Sequence, residues 1–474
     1  MAIEEQGMAP VAVRESLAAL RADDPPVRGG RVMAYVYDAG DDAASEAALD
    51  ALASFGEVNA LDPTTFPSVA RLENDLVGWG LDVMRAPDGS AGVVTSGGTE
   101  SCILAVLAAR ERWRRLGRIG SPTIVVADTV HPAFHKAAHL LGVDVHSLPV
   151  DRRSLRLGAV SVAAALDHLG QRAALVVTSA PSYAHGVIDD VEGVAAESAQ
   201  RGVPVHVDSC IGGMALAYAR RSGEAIPGFD FDVPGVASMS LDLHKYGFAP
   251  KGVSLLLFRD SDYRSGTYFT FSSWPGYPIV NTTLQSTKPA APMAAAWAAA
   301  RVLGHEGFTE AVRRAREATL RIAAIVDTIP GLRMVAPPDA TLVALRGDGD
   351  DPIDPFRLAD ALRARGWVVQ PQPGMGDLPR TLHLTVQPVS ADTLPEFERD
   401  LRDAADEVRG LAWVDVADDL EAAFAELPDL TSGAPLPEEM AAVHALIDAL
   451  PPQVRDPALA AIFSSLFTAR RART

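Results

Sequence analysis

The chain is short of cysteine, of lysine and of positive charge. Cys102 and Cys210 are its two cysteines among 474 residues. They form no C-x-x-C spacing and are too few for a disulfide framework, which excludes a disulfide-built secreted scaffold and a structural zinc site. Reduced thiols in a cytoplasmic protein are the expectation. Lysine and arginine together number 42 against 61 acidic residues, a net charge of −19. So acidic a chain is repelled by nucleic-acid phosphates and by anionic membrane surfaces, and neither is expected as a partner. Long apolar runs are missing too. Charges break every apolar stretch well short of the ~18 residues that a membrane span needs. Met1–Pro10 is acidic and has no apolar centre, so no signal peptide is expected. Scarce lysine beside abundant Ala, Arg, Asp and Pro matches the composition of a high-GC bacterial genome.

What is present is a large core. Apolar residues make up 48% of the chain, which rules out a disordered protein. The length fits a large domain and a smaller one. Residues 1–60 read as an N-terminal arm with helices around the breakers Gly29 and Gly30. Ser68 is placed to cap a helix over Val69–Gly80. From residue 92 the rhythm becomes α/β. Short apolar runs at Gly92–Thr95, Thr123–Ala127, Ala173–Thr178, Val203–Asp208, Val236–Leu241 and Val253–Phe258 are separated mostly by helical stretches. That alternation predicts a mainly parallel sheet covered on both faces, within a large domain over 61–330. Two helices are expected near Met293–Leu303 and Thr309–Val326. Beyond Pro330-Gly331, residues 331–474 read as a small α+β domain with a helical tail, interrupted by a proline-rich break over Leu427–Pro437.

Four features of this α/β region bear on chemistry. Ser96-Gly97-Gly98-Thr99 opens a helix, where glycines let a backbone approach an anion and free N–H groups bind phosphate. Taken alone, ordinary capping by Thr99 explains it as well. His131 follows a strand by a few residues, at the sheet edge where ligands sit; it can stack on a flat ring or be an ordinary loop histidine. Asp208 closes another strand, where a buried carboxylate needs a cation or serves as a helix cap. Lys245, in Asp242-Leu243-His244-Lys245-Tyr246-Gly247, lies at the turn between two buried strands. By itself it could be a surface turn lysine. Together these are a phosphate cup, a ring stacker, an acid for a pyridine nitrogen and an amine for a Schiff base. Those are the four parts of a pyridoxal 5′-phosphate (PLP) site.

The sequence resembles the group II PLP-dependent decarboxylase superfamily, and within it the sphingosine-1-phosphate lyase branch. The resemblance runs over roughly residues 30–410. It rests on Thr95-Ser-Gly-Gly-Thr-Glu-Ser101, His131-Pro-Ala-Phe-His-Lys-Ala137, Pro181-Ser-Tyr-Ala-His-Gly-Val-Ile-Asp189, His206-Val-Asp-Ser-Cys-Ile-Gly-Gly213, Asp242-Leu-His-Lys-Tyr-Gly-Phe-Ala-Pro-Lys-Gly252, the segment Trp274–Pro289 and Leu382-His-Leu-Thr385. It implies the fold-type I architecture, with a seven-stranded, mainly parallel sheet in the large domain, and a homodimer with shared active sites. Lys245 is then the Schiff-base lysine, Asp208 the partner of the ring nitrogen and His131 the ring stacker. Gly98, Thr99 and His244 hold the cofactor phosphate. Thr287 matches a serine that reaches in from the neighbouring subunit. Tyr183 is a pocket tyrosine and Lys251 a second lysine, both near the substrate, with either Tyr183 or Lys245 as the proton-transferring group, while Tyr37 and Asn59 lie in segments that line the same pocket. No metal is implied.

One departure bears on the substrate. Where the lyase branch carries a histidine that helps hold the substrate's phosphate, this chain has Asp62, whose negative charge would repel a phosphate. The expected reaction is Cα–Cβ cleavage of a small amine, either an amino alcohol or a phosphorylated sphingoid-base-like compound, to give an aldehyde. Decarboxylation of an L-amino acid is the alternative, because the same cofactor machinery serves both. A non-catalytic α/β binding protein is the third reading, and the joint presence of four cofactor parts counts against it.

Overall fold

The computed structural model describes residues 6–415 and 439–468. The expected proline-rich break at 427–437 lies outside the described residues. Seven strands form the large sheet: β1 (Ala91–Thr95), β2 (Thr123–Ala127), β3 (Asp144–Leu148), β4 (Ala173–Ser179), β5 (Val205–Asp208), β6 (Val236–Leu241) and β7 (Ser254–Phe258). Their spatial order is β1-β7-β6-β5-β4-β2-β3. The run from β3 to β6 is parallel, and β7 is antiparallel to both β6 and β1. Two reversals in succession give β1 the same direction as the parallel strands. The carboxyl ends of β1, β2, β4, β5 and β6 therefore share one edge.

Strands β2, β4 and β5 are buried along their whole length, which is why their sequences are continuous rather than alternating apolar runs. Side chains still alternate between faces. Ile124, Val126, Leu175 and Val177 pack with the helices Gly98–Arg115 and Ala133–Leu141, while Val125, Val176 and Val205 pack with Ala159–Leu169, Val191–Gln200 and Gly213–Arg221. Strand β3 was not expected. It is the sheet edge, and its half-exposed Asp-Val-His-Ser-Leu carries no apolar run to betray it. The helices Ala159–Leu169 and Gly213–Arg221 were not expected either. The second opens on Gly212-Gly213, which reads locally as a breaker, yet tertiary packing buries all of its first seven residues.

The small sheet is antiparallel, ordered β10 (Leu332–Met334), β11 (Leu342–Gly347), β13 (Thr381–Thr385), β12 (Gln370–Gln372), and it follows an exposed hairpin, β8 (Phe269–Phe271) with β9 (Ile279–Asn281). The helices Pro355–Ala364 and Ser390–Val408 cover the small sheet. Met33, from the N-terminal arm, is buried in this second core, and its backbone bonds to Val368 and Thr385 at 2.8 and 2.7 Å. Helical structure over Ala291–Val326 links the two cores; its first half packs under the large sheet and its second half under the small one. Gly304 interrupts it at φ 56°, ψ 179°, in keeping with the two separate helices read from the sequence. Ser68 is not a cap. The helix begins at Pro67, whose missing N–H costs nothing in a first turn, so Ser68 lies inside it.

A candidate cofactor site at the carboxyl edge of the sheet

A cavity of about 490 Å³ opens at the shared strand edge. Gly98, Thr99, His131, Tyr183, Asp208, His244, Lys245 and Lys251 all line it. Each arrives by the same local device, a strand that ends and hands over to a loop or helix: β1 to Gly98, β2 to His131, β4 to Tyr183, β5 to Asp208 and β6 to Lys245.

Lys245 Nζ lies 2.8 Å from Asp242 Oδ2, and that carboxylate is buried. Burial opposes the ammonium, but the Asp242 charge outweighs it and holds the lysine's pKa above its ordinary range. Asp242 stays ionised, held below the usual carboxylate range despite burial by Lys245 and His244 and by Ser254, whose hydroxyl donates to Oδ1 at 2.6 Å. His244 pairs through Nδ1 with the Val253 carbonyl at 2.8 Å, and burial lowers its pKa. Asp208 Oδ1 accepts from the Cys210 N–H at 3.1 Å and from Ser240 Oγ at 3.2 Å.

The helix Gly98–Arg115 has no side-chain cap, so its first N–H groups are left for an anion. A Cβ on Gly98 would come within 2.7 Å of Cys210 Sγ and 2.8 Å of both Asp242 oxygens, so only glycine lets this turn sit so close. Glu100 closes the turn from outside. It accepts from Ser96 N–H at 2.6 Å and, through its other oxygen, from Leu284 N–H at 2.8 Å.

Two phenols flank Lys245. The Tyr183 ring stacks on His383 at 4.5 Å, and its hydroxyl donates to Gln370. Burial pushes its pKa up to about 12. The Tyr37 ring lies 4.6 Å under Lys251 Nζ, and burial raises its pKa further still. Lys251 donates to the His244 carbonyl at 3.2 Å. Burial, helped by the nearby Lys245 charge, lowers its pKa to about 8.

Within one chain the structure does not bring Asn59, Asp62 or Thr287 to Lys245. Asp62 lines a second cavity of about 750 Å³, walled by residues 277–283, by Gln285 and Ser286, and by Glu73 and Lys288. Its carboxylate is tied up locally, accepting from Thr64 N–H at 2.8 Å, Thr64 Oγ1 at 2.6 Å and Thr65 Oγ1 at 3.0 Å, and these bonds lower its pKa. Asn59 Oδ1 accepts from its neighbour Leu61 N–H at 2.9 Å, and Thr287 is exposed. Asn59 sits at an isolated antiparallel bridge to Pro289, so the two segments run side by side. Sequence reasoning missed Asp242, Ser240, Glu100 and Gln370 as supporting groups. Asp242 alone carried a signal, as a buried-strand acid three residues before the lysine.

An amine held charged beside a carboxylate, an uncapped glycine turn, an imidazole and a strand-end acid suit an aromatic aldehyde phosphate, and none of them crowds the cavity. The fold and this cavity define a fold-type I PLP-dependent enzyme. The comparisons with known proteins narrow the class. Residues 30–347 match the family described as "Pyridoxal-dependent decarboxylase conserved domain", and a C-terminal HTH domain of pyridoxal-dependent enzymes matches 402–465. The sphingosine-1-phosphate lyase of Oryza sativa subsp. japonica is 33% identical over 387 residues, which span 80% of this chain and 70% of that protein. The lyase of Mus musculus is 30% identical over 85% of this chain and 69% of that protein. The structure of a sphingosine-1-phosphate lyase from Burkholderia pseudomallei superposes with a TM-score of 0.81 at 31% identity, covering 92% of this chain and 98% of that one. Glutamate decarboxylase of Lactobacillus brevis, at TM-score 0.76 and 21% identity, shares the fold. The chain belongs to the pyridoxal-dependent decarboxylase family, and it is a PLP-dependent carbon–carbon lyase. No helix of the described residues is long and apolar enough to cross a membrane.

Proposed function

We propose that this enzyme is an aldehyde-lyase that cleaves the Cα–Cβ bond of a β-hydroxy amine, with an anionic group on the substrate favouring binding. The observation that carries the reading is Lys251. It is a cation beside Lys245 with no carboxylate at ion-pair distance among the described residues, so it is open to an anion on the substrate. The sphingosine-1-phosphate lyases among the relatives point the same way. Asp62 argues that the anion is held more weakly here than in a site bearing a histidine, so unphosphorylated amino alcohols belong among the substrates.

Bound PLP supplies an electron sink that weakens a bond at Cα of an attached amine. The residues of the chain do the rest. Lys245 is the amine that would carry the cofactor, and Asp208 would keep a proton on its ring nitrogen. His131 would serve as the ring stacker, while Gly98, Thr99 and His244 would hold the phosphate. Tyr183, kept protonated by burial and fixed by Gln370 and by its stack on His383, is placed to give a proton to carbon, and the Lys245 amine, once the substrate amine has taken its place, is the base for the β-hydroxyl proton. Lys251 holds the substrate's anionic end against Tyr37.

The active enzyme is a homodimer in this reading, in the cytoplasm of a bacterium. Phe269, Phe271, Trp274, Tyr277 and Leu284 are all exposed on the segment that also carries Thr287. A second copy seated there would bury them and bring Thr287, Asn59 and Asp62 to its own Lys245 cavity. The two free cysteines suit a reducing compartment. The test is a panel of phosphorylated and free β-hydroxy amines together with aromatic and acidic amino acids, with aldehyde and carbon dioxide both measured. Aldehyde from the β-hydroxy amines is expected. Carbon dioxide without aldehyde would overturn the proposal in favour of a decarboxylase.

A further inference from the structure

The two cysteines of the chain, far apart in sequence, meet at the cofactor cavity. Cys102 is in the second turn of the helix Gly98–Arg115, and Cys210 is two residues past Asp208. Both line the cavity. Their sulfurs lie within 4.8 Å of one another and of an Asp208 oxygen. Disulfide geometry needs a sulfur–sulfur distance of ~2.05 Å, so forming the bond requires the two side chains to rotate and the 208–212 loop to shift. We propose that Cys102 and Cys210 form a reversible disulfide that loosens the enzyme's hold on PLP. The consequence for PLP rests on the site reading above; the bond itself does not.

Cys210 is the entry point, because it is partly exposed to the cavity while Cys102 is buried. Hydrogen peroxide is the oxidant. The Cys210 thiol attacks the peroxide oxygen and becomes a sulfenic acid, releasing water. The Cys102 sulfur then attacks Cys210 Sγ, a second water leaves, and the S–S bond is formed; the two thiols lose two electrons to the peroxide. Hydrogen bonding with Cys102, together with burial, pushes the Cys210 thiol's pKa up, and burial raises Cys102 even though Cys210 opposes it. The pair is therefore slow to oxidise at neutral pH and faster as pH rises. A metal ion is the weaker fit for the same cluster. Asp208 already accepts from Cys210 N–H and Ser240 Oγ and faces the cofactor, which leaves two thiols as ligands.

The bond would act where the cofactor is held. Cys102 shares a helix with Gly98 and Thr99, and the Cys210 N–H positions Asp208. Drawing the sulfurs together pulls the anion-binding turn and the strand-end acid toward each other, with Cys210 Sγ already only 2.7 Å from where a Gly98 Cβ would stand.

The test treats the holoenzyme with hydrogen peroxide. Remaining thiols are alkylated under denaturing conditions, and the unreduced chain is digested with trypsin and mapped. The expected product is peptide 86–110 joined to peptide 202–220, with both alkylatable thiols lost and both restored by dithiothreitol. Visible cofactor absorbance retained after gel filtration should fall with the bond and return on reduction and added PLP. Cys102→Ala and Cys210→Ala should each keep their own untreated absorbance under the same peroxide. Two thiols that stay separately alkylatable, or that go to sulfinic acids without a cross-link, would overturn the proposal, as would zinc bound stoichiometrically to the purified enzyme. A cross-link with unchanged cofactor absorbance would overturn its coupling to the cofactor. An untreated enzyme without a visible cofactor band would count against the site reading, and the peptide map would still decide the bond.

Discussion

Replacing Asp242 with asparagine removes one charge and little else. Asparagine keeps the shape and can still accept from Ser254, whose hydroxyl lies 2.6 Å from Oδ1. What disappears is the counter-charge 2.8 Å from Lys245 Nζ, in a pair whose side chains are only 22% and 2% exposed. Breaking a buried pair by removing one partner costs ~3–5 kcal/mol, because the remaining charge is left uncompensated. At ~2 °C per kcal/mol for a large chain, the cofactor-free variant should melt ~6–10 °C below the parent at pH 7. The pH dependence has a defined sign. Asp242 is depressed, so its contribution is present above the ordinary carboxylate range and is lost as pH falls through its folded value. Lys245 is raised, so its contribution is complete below the ordinary lysine range and is lost as pH rises through its folded value. The gap between variant and parent should therefore stay level between pH ~5 and ~9 and narrow in acid. The assay is thermal unfolding of both cofactor-free proteins across that range. Equal melting temperatures at pH 7, or a gap that closes within the plateau, would refute a pair that holds Lys245 charged.

Three further outcomes are expected. Gly98→Ala should weaken PLP retention, since its Cβ would push on Cys210 Sγ and on the buried Asp242 carboxylate beside Lys245; cofactor dissociation followed by absorbance checks it, and unchanged retention would remove the turn from the site. Tyr183→Phe should lower kcat by ~10²–10⁴ with little loss of melting temperature, because the ring keeps its stack on His383 and only the hydroxyl to Gln370 is lost. Lys251 loses its charge near pH 8, so KM for an anionic substrate should climb as pH passes through about 8, and Lys251→Arg should flatten that rise because an arginine stays charged; a KM profile that ignores both would take Lys251 out of substrate binding.

The cofactor half of the site was legible in the sequence because each part is local. Gly98, His131, Asp208 and Lys245 each follow a strand whose apolar run is plain, and parallel strands place their carboxyl ends together. The supporting groups were not legible. Gln370 reaches Tyr183 from the small sheet, Leu284 reaches Glu100 from the hairpin segment, and Cys102 meets Cys210 across the sheet edge; no local pattern encodes such pairings. The fold divides in the same way. Fully buried strands announced themselves, whereas β3 is a half-polar edge and Gly213–Arg221 is a helix that packing imposes on a glycine-led sequence. Met33 joins the small core through backbone bonds to residues more than three hundred positions away, so a segment read as an N-terminal arm becomes part of the second core. Asn59, Asp62 and Thr287 were grouped with the pocket through resemblance alone, and in the single chain they lie apart from it.

Everything assigned to the cofactor site depends on Lys245 carrying the cofactor. The chain has four lysines, Lys136, Lys245, Lys251 and Lys288, so borohydride reduction of the holoenzyme followed by peptide mapping has four possible outcomes for a single label. The expected product is a reduced pyridoxyl group on Lys245, with the visible absorbance absent from Lys245→Ala. A label on Lys136, Lys251 or Lys288, or an undiminished band in Lys245→Ala, would overturn that assignment.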